Sequence, residues 1–345
     1  MARGVSRWVW RVAVVALVAA LFVRGVPLLA GVRWHDLATA LAQPAPHWYA
    51  LLVVLWLAGL CVHTITLTAA LPRLTHRRAL TLSLTGSAVA NVLPVGGAAG
   101  VALNYRMLRS WGFDRAAFGG YTVVTNLWDV LSKLCLPAVA LAWLTAAGVV
   151  TSGRLVGTTA VTSVALVVLS ALTVLTLTRA GVAARVGSWA DAVLHRLART
   201  FRIQRDLSVG PALVELQSTC AVLVRTAWRR LTLGMTGYLA LLAALLAVCL
   251  HLTGAGVALP VVFAGFAFER VLTLPGITPG GAGVVEVGVT GLLIAFGGDP
   301  LGVATGVLLY RAFSYGMEIP VGAGLLALWW RSRGRLAALE TAASA

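Results

Sequence analysis

The chain has 345 residues, 59% of them hydrophobic and only 11% charged, with a formal net charge of +16. Soluble domains carry about 25% charged residues, so this composition excludes a water-exposed globular surface. The positive charge is nearly all arginine, clustered between apolar runs and never interleaved with aromatics on a polar face, which argues against nucleic acid and reads as membrane topology with anionic lipid headgroups as counter-charge.

A helix needs about 20 apolar residues to cross the hydrocarbon, and six stretches qualify. Val12–Ala30 lacks a small-residue cleavage site and reads as a signal anchor rather than a cleaved signal peptide. Trp48–Leu71 follows. Leu80–Leu93 is too short to span and runs into Pro94-Val95-Gly96-Gly97, after which a second short segment ends at Arg106 and Arg109. Phe118–Gly148 and Leu155–Thr178 are the next spans, the latter without any charge. Arg179–Arg230 carries nine arginines against Asp191, Asp206 and Glu215, as expected of a cytoplasmic loop with surface helices on anionic lipid. Leu231–Gly256 is the fifth span. Ala258–Leu274 meets Pro275 and Pro279-Gly280-Gly281, then continues as an apolar segment to Gly298, and Pro300–Trp330 closes the series. Short apolar half-helices broken by Pro and Gly mark re-entrant hairpins, here 80–109 and 258–298. The expected fold is all-α and polytopic: one membrane domain over 1–345, with about six transmembrane helices and two re-entrant helical hairpins.

With both hairpins returning to their own side, this topology puts 21 arginines at the cytoplasmic face, from Arg3 to Arg335. Only Arg24, Arg33 and Arg154 fall outside, and Lys133, Arg270 and Arg311 lie within spans or hairpins. Reversing any one span would move a cluster such as Arg73, Arg77 and Arg78 outside, so the bias places both termini in the cytoplasm, at the cytoplasmic membrane.

The two halves resemble each other. Pro94-Val95-Gly96-Gly97 matches Pro279-Gly280-Gly281, Gly112-Phe113-Asp114 matches Gly297-Gly298-Asp299, and Pro137 matches Pro320, at an offset of 183 to 185 residues. In both copies the Asp stands where an N-cap would start the next long helix, with Pro300 at the first helical position of the second. The first repeat is 48–178 and the second 231–332, separated by the basic segment 179–230. The first hairpin enters from the cytoplasm and the second from outside, an inverted repeat typical of transporters.

No nucleophile elbow, P-loop, metal cluster or dinucleotide-binding turn is present, so neither enzyme activity nor a cofactor is expected. Cys61, Cys135, Cys220 and Cys249 have no metal spacing and no secretory pairing pattern and read as reduced packing residues. What stands out is charge in hydrocarbon: Asp129, Lys133, Glu269, Arg270, Glu286, Arg311 and Glu318 lie inside apolar segments. Each costs at least about 2.5–3.5 kcal/mol at the midplane, so such residues are functional or paired. Asp129 and Lys133, four apart on one face, are expected to neutralise each other. Arg311 lies deep in its span, and Glu318 is two turns further and on the same face. Glu286 follows the second Pro-Gly-Gly turn on a half-helix whose N-terminal dipole favours a carboxylate or a bound anionic lipid group. A purely structural Glu286–Arg311 pair is the bland alternative. His63 and His251 read as packing or interfacial groups. Asn91, Asn104 and Asn126 are placed to satisfy broken-helix backbone groups.

The run Pro279-Gly280-Gly281-Ala282-Gly283-Val284-Val285-Glu286, followed by Gly298-Asp299 and Leu309-Tyr310-Arg311, resembles the lysylphosphatidylglycerol synthase transmembrane-region family of flippase-like membrane proteins. The first half resembles it through Asn91-Val92-Leu93-Pro94, the glycines to Gly100, Arg106 and Asp129. A Glu expected before Arg106 is absent, and Thr125-Asn126 stand where a Glu-Arg pair is common. The likeness covers roughly residues 10–335 without the soluble aminoacyl-transferring domain of some members, so it implies lipid translocation rather than lipid aminoacylation.

The function expected is movement of a lipid or lipid-linked amphiphile between leaflets. Hairpin tips Pro94–Gly97 (with Gly96) and Pro279–Gly283 (with Gly280 and Gly281) would line a polar cavity. Arg311 would attract a phosphate and Glu286 a cationic headgroup or a proton, with Asp129, Arg106 and Glu318 as further site residues. Membrane lipids, anionic or lipid-linked, are the partners expected, and a membrane protein partner stays open. The alternatives are a proton-coupled carrier of a small solute and a non-transporting partner of a lipid-synthesis enzyme.

Overall fold

A computed structural model describes residues 20–93, 96–150, 210–274 and 278–343, with scattered positions between 157 and 191; side chains at 21–22, 210–220 and 334–343 are not described. Most of the expected span Leu155–Thr178, the start of the first span, the tip residue Pro94 and most of the stretch 179–209 therefore lie outside the described residues.

Every regular element among the described residues is helical. A π-helical turn, Leu21–Gly25, leads into α1 (Val26–Ala30), then α2 (Trp34–Ala42), α3 (Pro46–Ala70), α4 (His76–Val92), α5 (Gly96–Ser110) and α6 (Arg115–Ala146). After these come α7 (Gly210–Leu252), α8 (Leu259–Leu272), a 3₁₀ turn (Pro279–Gly281), α9 (Val284–Ala295), α10 (Pro300–Arg311), a second π turn (Ala312–Gly316) and α11 (Glu318–Ala343). Among the described residues three helices are long and apolar enough to cross a membrane: α3, α6 and the Ala221–Leu252 part of α7, with mean hydropathies of 2.2, 1.5 and 2.2. At 1.5 Å per residue the 25 residues of α3 reach roughly 37 Å, beyond the ~30 Å hydrocarbon core.

Local chemistry sets the helix ends. Asp114 accepts from Ala117 N at 2.7 Å and caps α6, and Asp299 does the same from Gly302 N at 2.7 Å for α10, with Pro300 at N1. Both expected N-caps are in place. The helices flanking the two Pro-Gly breaks have 17 and 15 residues in α4 and α5, and 14 and 12 in α8 and α9. The longest of these reaches roughly 25 Å, short of the hydrocarbon thickness.

Two expected spans take another form. Pro300–Trp330 is not one α-helix: a π turn interrupts it, with Met317 N donating to Ala312 O at 2.8 Å. Pro320 supplies a reason, since it has no N–H for the carbonyl of Gly316 and its ring crowds that carbonyl, which is where the π turn ends. The extra residue in that turn takes Glu318 off the face of Arg311. The fifth span begins well upstream of Leu231: α7 starts at Gly210, so Arg225, Arg229 and Arg230 ride on the same helix rather than on separate surface helices. The short helix α2 is an addition, closed at its start by Arg33, whose backbone N donates to Asp36 Oδ2 at 3.1 Å.

The chain divides into two compact units. One comprises Ile65–Leu74 and Phe113–Thr236. In it Trp128 Nε1 donates to Thr232 Oγ1 at 3.2 Å and Thr66 Oγ1 donates to the Leu231 carbonyl at 3.3 Å, tying α3 and α6 to α7. The other comprises Met1–Thr64, Thr75–Gly112 and Gly237–Ala345. Here α4 packs between α5 and α11. The α4–α11 approach demands a glycine: a Cβ on Gly322 would run into the Leu84 carbonyl oxygen. Val26, Ala30, Leu37 and Ala304 form an apolar cluster that seats α1 and α2 on α10, with Val287 of α9 and Leu308 packed against it.

Candidate functional site

Within the second unit described above, four helix ends converge. The last turn of α8 carries Glu269 and Arg270, the first turn of α9 carries Glu286, the last turn of α10 carries Tyr310 and Arg311, and the last turn of α4 carries Asn91. Glu269 and Glu286 are each 1% exposed and Arg311 6%. Two buried acids meet two arginines, so the cluster balances its own charge, as burial requires.

Arg311 is the hub. Its Nε donates to Glu286 Oε1 at 2.8 Å, its Nη2 donates to the Gly280 carbonyl at 2.9 Å, and its Nη1 lies 3.8 Å from Glu269 Oε1. The second oxygen of Glu286 accepts from Gly283 N at 2.6 Å, so this carboxylate both caps α9 and holds Arg311. Glu269 accepts from Arg270 through Nε at 2.8 Å and through Nη2, and from the Tyr310 hydroxyl at 3.1 Å. The guanidinium of Arg311 also lies over the Tyr315 ring, 4.7 Å from its centroid.

Tyr315 sits on the π turn and joins the two helix breaks. Its hydroxyl donates to the Asn91 carbonyl at 2.8 Å, at the end of α4, while its ring lies against Gly280 in the Pro279–Gly281 turn. Gly280 has φ +55°, and a Cβ there would overlap the tyrosine ring and come within 2.7 Å of Asn91 Oδ1. A side chain at this position is barred twice, by backbone and by space.

Beside the cluster is a cavity of about 690 Å³, within the usual 300–1,000 Å³ of small-molecule sites. Its walls are largely apolar and include Val23, Trp34, Leu41 and Leu308; Asn91, Glu286, Arg311 and Tyr315 bring polarity to it. A pocket so built suits an amphiphile: apolar walls for a chain, a fixed charge pair for a headgroup.

Of the residues singled out from sequence, Glu286, Arg311, Pro279, Gly280, Gly281 and Gly283 come together here, with Pro279 in the cavity wall. Glu318 makes no ion pair with Arg311 among the described residues and faces Ser87 and Asn91 of α4. Gly96 and Gly97 begin α5 and are absent from the cavity wall, and Arg106 is exposed on the same helix. Asp129 belongs to the other unit and makes the expected pair with Lys133, Oδ2 to Nζ 2.7 Å. Asn126 bonds the Thr122 carbonyl of its own helix at 2.7 Å, and His63 stacks on Tyr238 with ring centroids 4.4 Å apart. Sequence reasoning missed Glu269, Tyr310 and Tyr315 as site members. The signal for Glu269 was present, since an acid and a base adjacent in an apolar helix demand partners; Tyr310 stands in a run that carries the family resemblance, and nothing marks Tyr315 before the fold is known.

The description of the family model that matches residues 8–322 is Lysylphosphatidylglycerol synthase TM region. No curated protein matches the chain. That match spans nearly the whole length, and with the long apolar helices it makes this a membrane protein that belongs to the lysylphosphatidylglycerol synthase transmembrane-region family.

Proposed function

We propose that the protein moves a lipid or lipid-linked amphiphile between the leaflets of the cytoplasmic membrane. It does so from a fold of about six spans, with the α4–α5 and α8–α9 pairs as re-entrant hairpins of an inverted repeat and both termini in the cytoplasm. The observation that carries the reading is the cavity of about 690 Å³ whose apolar walls meet the Glu286–Arg311 pair. A soluble metabolite would need polar walls; an acyl or isoprenoid chain does not. Arg311 has five N–H donors, and two are already given to Glu286 and the Gly280 carbonyl. A headgroup phosphate reaching the remaining donors competes with Glu286, weakens the clasp on the Pro279–Gly283 turn, and leaves Glu286 free to take a cation or a proton. No covalent step and no cofactor enters this cycle.

Purified protein in vesicles of anionic phospholipid carrying a headgroup-labelled lipid in one leaflet tests it. Exchange of label between leaflets above protein-free vesicles is expected. Flux of a small solute without lipid exchange would replace this reading with a solute carrier, and neither would leave a non-transporting partner.

A further inference from the structure

Glu318 is the buried acid that the charge cluster does not use. It is 9% exposed at the start of α11, directly after the π turn, and makes no ion pair among the described residues. Its neighbours on α4 are the side chains of Ser87 and Asn91. From the other elements Arg270 and Arg311 act on it through space, but each is already matched by Glu269 and Glu286; Tyr315 bonds the Asn91 carbonyl and Tyr310 bonds Glu269.

Hydrogen-bond chemistry separates this acid from the other two. Glu286 is held by a guanidinium and a backbone N–H, which only donate, and Glu269 is held mainly by a guanidinium. A serine hydroxyl and an asparagine amide each offer both a donor and an acceptor, so Ser87 and Asn91 serve an ionised carboxylate and a protonated one equally well. Ionised, Glu318 adds one uncompensated charge to an apolar interior; protonated, it adds none. Asn91 in turn lines the cavity, and its Oδ1 lies against Gly280 of the clasped turn. The acid is thus one side chain away from the substrate cavity.

We propose that Glu318 is a proton-binding site that couples the transport cycle to a proton gradient. This rests on the lipid-translocation reading above. The carboxylate takes one proton to become the neutral acid in one orientation of the carrier and releases it in the other, with no other bond made or broken. Asn91 re-pairs its amide between the two forms and so transmits the state of Glu318 to the Gly280 turn.

Two measurements test it. In the first, vesicles with the wild-type protein and labelled phospholipid are given a pH gradient of one unit. One proton per cycle predicts a steady leaflet asymmetry of about tenfold, collapsing when the gradient is dissipated. Exchange that proceeds with no asymmetry, or asymmetry set by a sodium gradient instead, overturns the coupling and leaves the lipid reading standing. In the second, the carboxylic-acid stretch of purified wild type minus Glu318→Gln is followed by infrared difference spectroscopy across pH. A band that appears and vanishes with pH, and whose midpoint moves in Ser87→Ala, is expected. A titrating band without any lipid exchange overturns the lipid reading while keeping the proton site. Absence of a titrating band overturns the proton site.

Discussion

At the scale of single residues the puzzle is why two acids and two arginines are tolerated in apolar segments. Each alone costs at least about 2.5–3.5 kcal/mol in hydrocarbon, and the structure offsets that with direct pairing: Arg311 to Glu286 at 2.8 Å, Arg270 to Glu269 at 2.8 Å. The charges were legible in the sequence because they break apolar runs, and so was the Glu286–Arg311 pair. The choice of partner for Glu269 was not, since Arg270 is its neighbour in sequence while Arg311 reaches it only after α10 folds back. Pairing also predicts how substitutions behave. Glu286→Gln and Arg311→Gln each strand a buried charge, and each is expected to lose about 3–5 kcal/mol of stability, read as a drop in thermal unfolding temperature in detergent. The double change removes both charges and is expected to recover the unfolding temperature. If the pair also clamps the headgroup, lipid exchange stays absent in the double mutant although folded protein is back. Recovery of exchange along with stability would reduce the pair to a structural clip.

Among the elements, what matters is that the helices flanking the two Pro-Gly breaks are short, and that the ends of α4, α8 and α9 meet the end of α10 at one place. The 17 and 15 residues of α4 and α5, broken around Pro94, were readable from the chain because Pro and Gly stop helices in ways that propensity cannot override. The π turn at Ala312–Gly316 was not readable. Pro320 signalled a disturbance, but the helix could have kinked, unwound or widened, and only its packing against α4 decides among these. Widening is what turns Glu318 toward Ser87 and Asn91 and sets Tyr315 between the two breaks. The hairpin reading carries its own test. In a background without Cys61, Cys135, Cys220 and Cys249, single cysteines at Arg77, near the start of α4, and at Ser110, at the end of α5, are expected to be shielded alike from an impermeant thiol reagent added to intact cells and labelled alike after permeabilisation. Opposite labelling of the two positions would mean that α4 and α5 together cross the membrane, and the hairpin would be withdrawn.

For the molecule as a whole, the two Pro-Gly breaks meet within one compact unit: Tyr315 bonds the Asn91 carbonyl of the first break and covers Gly280 of the second, a contact compatible with the proposed entry of the two hairpins from opposite sides. Two hairpins entering from one face would both direct their helix ends the same way and would leave the other leaflet sealed by spans alone. The proposed opposed entry would place a breakable tip toward each side of a single cavity, which is what a site serving two leaflets in turn would require. Arginine placement supports the proposal from independent chemistry, because the ends of the first pair carry Arg77, Arg78 and Arg109 whereas the ends of the second, around Ala258 and Phe296, carry none. Cysteines at Ala258 and Phe296, both exposed positions, are therefore expected to react with the impermeant reagent in intact cells, in contrast to Arg77 and Ser110. The comparison is internal, since all four variants share one background and one reagent. Protection of Ala258 and Phe296 as complete as that of Arg77 and Ser110 would put both hairpins on one side, and the inverted repeat, together with the alternating use of one cavity built on it, would have to be given up.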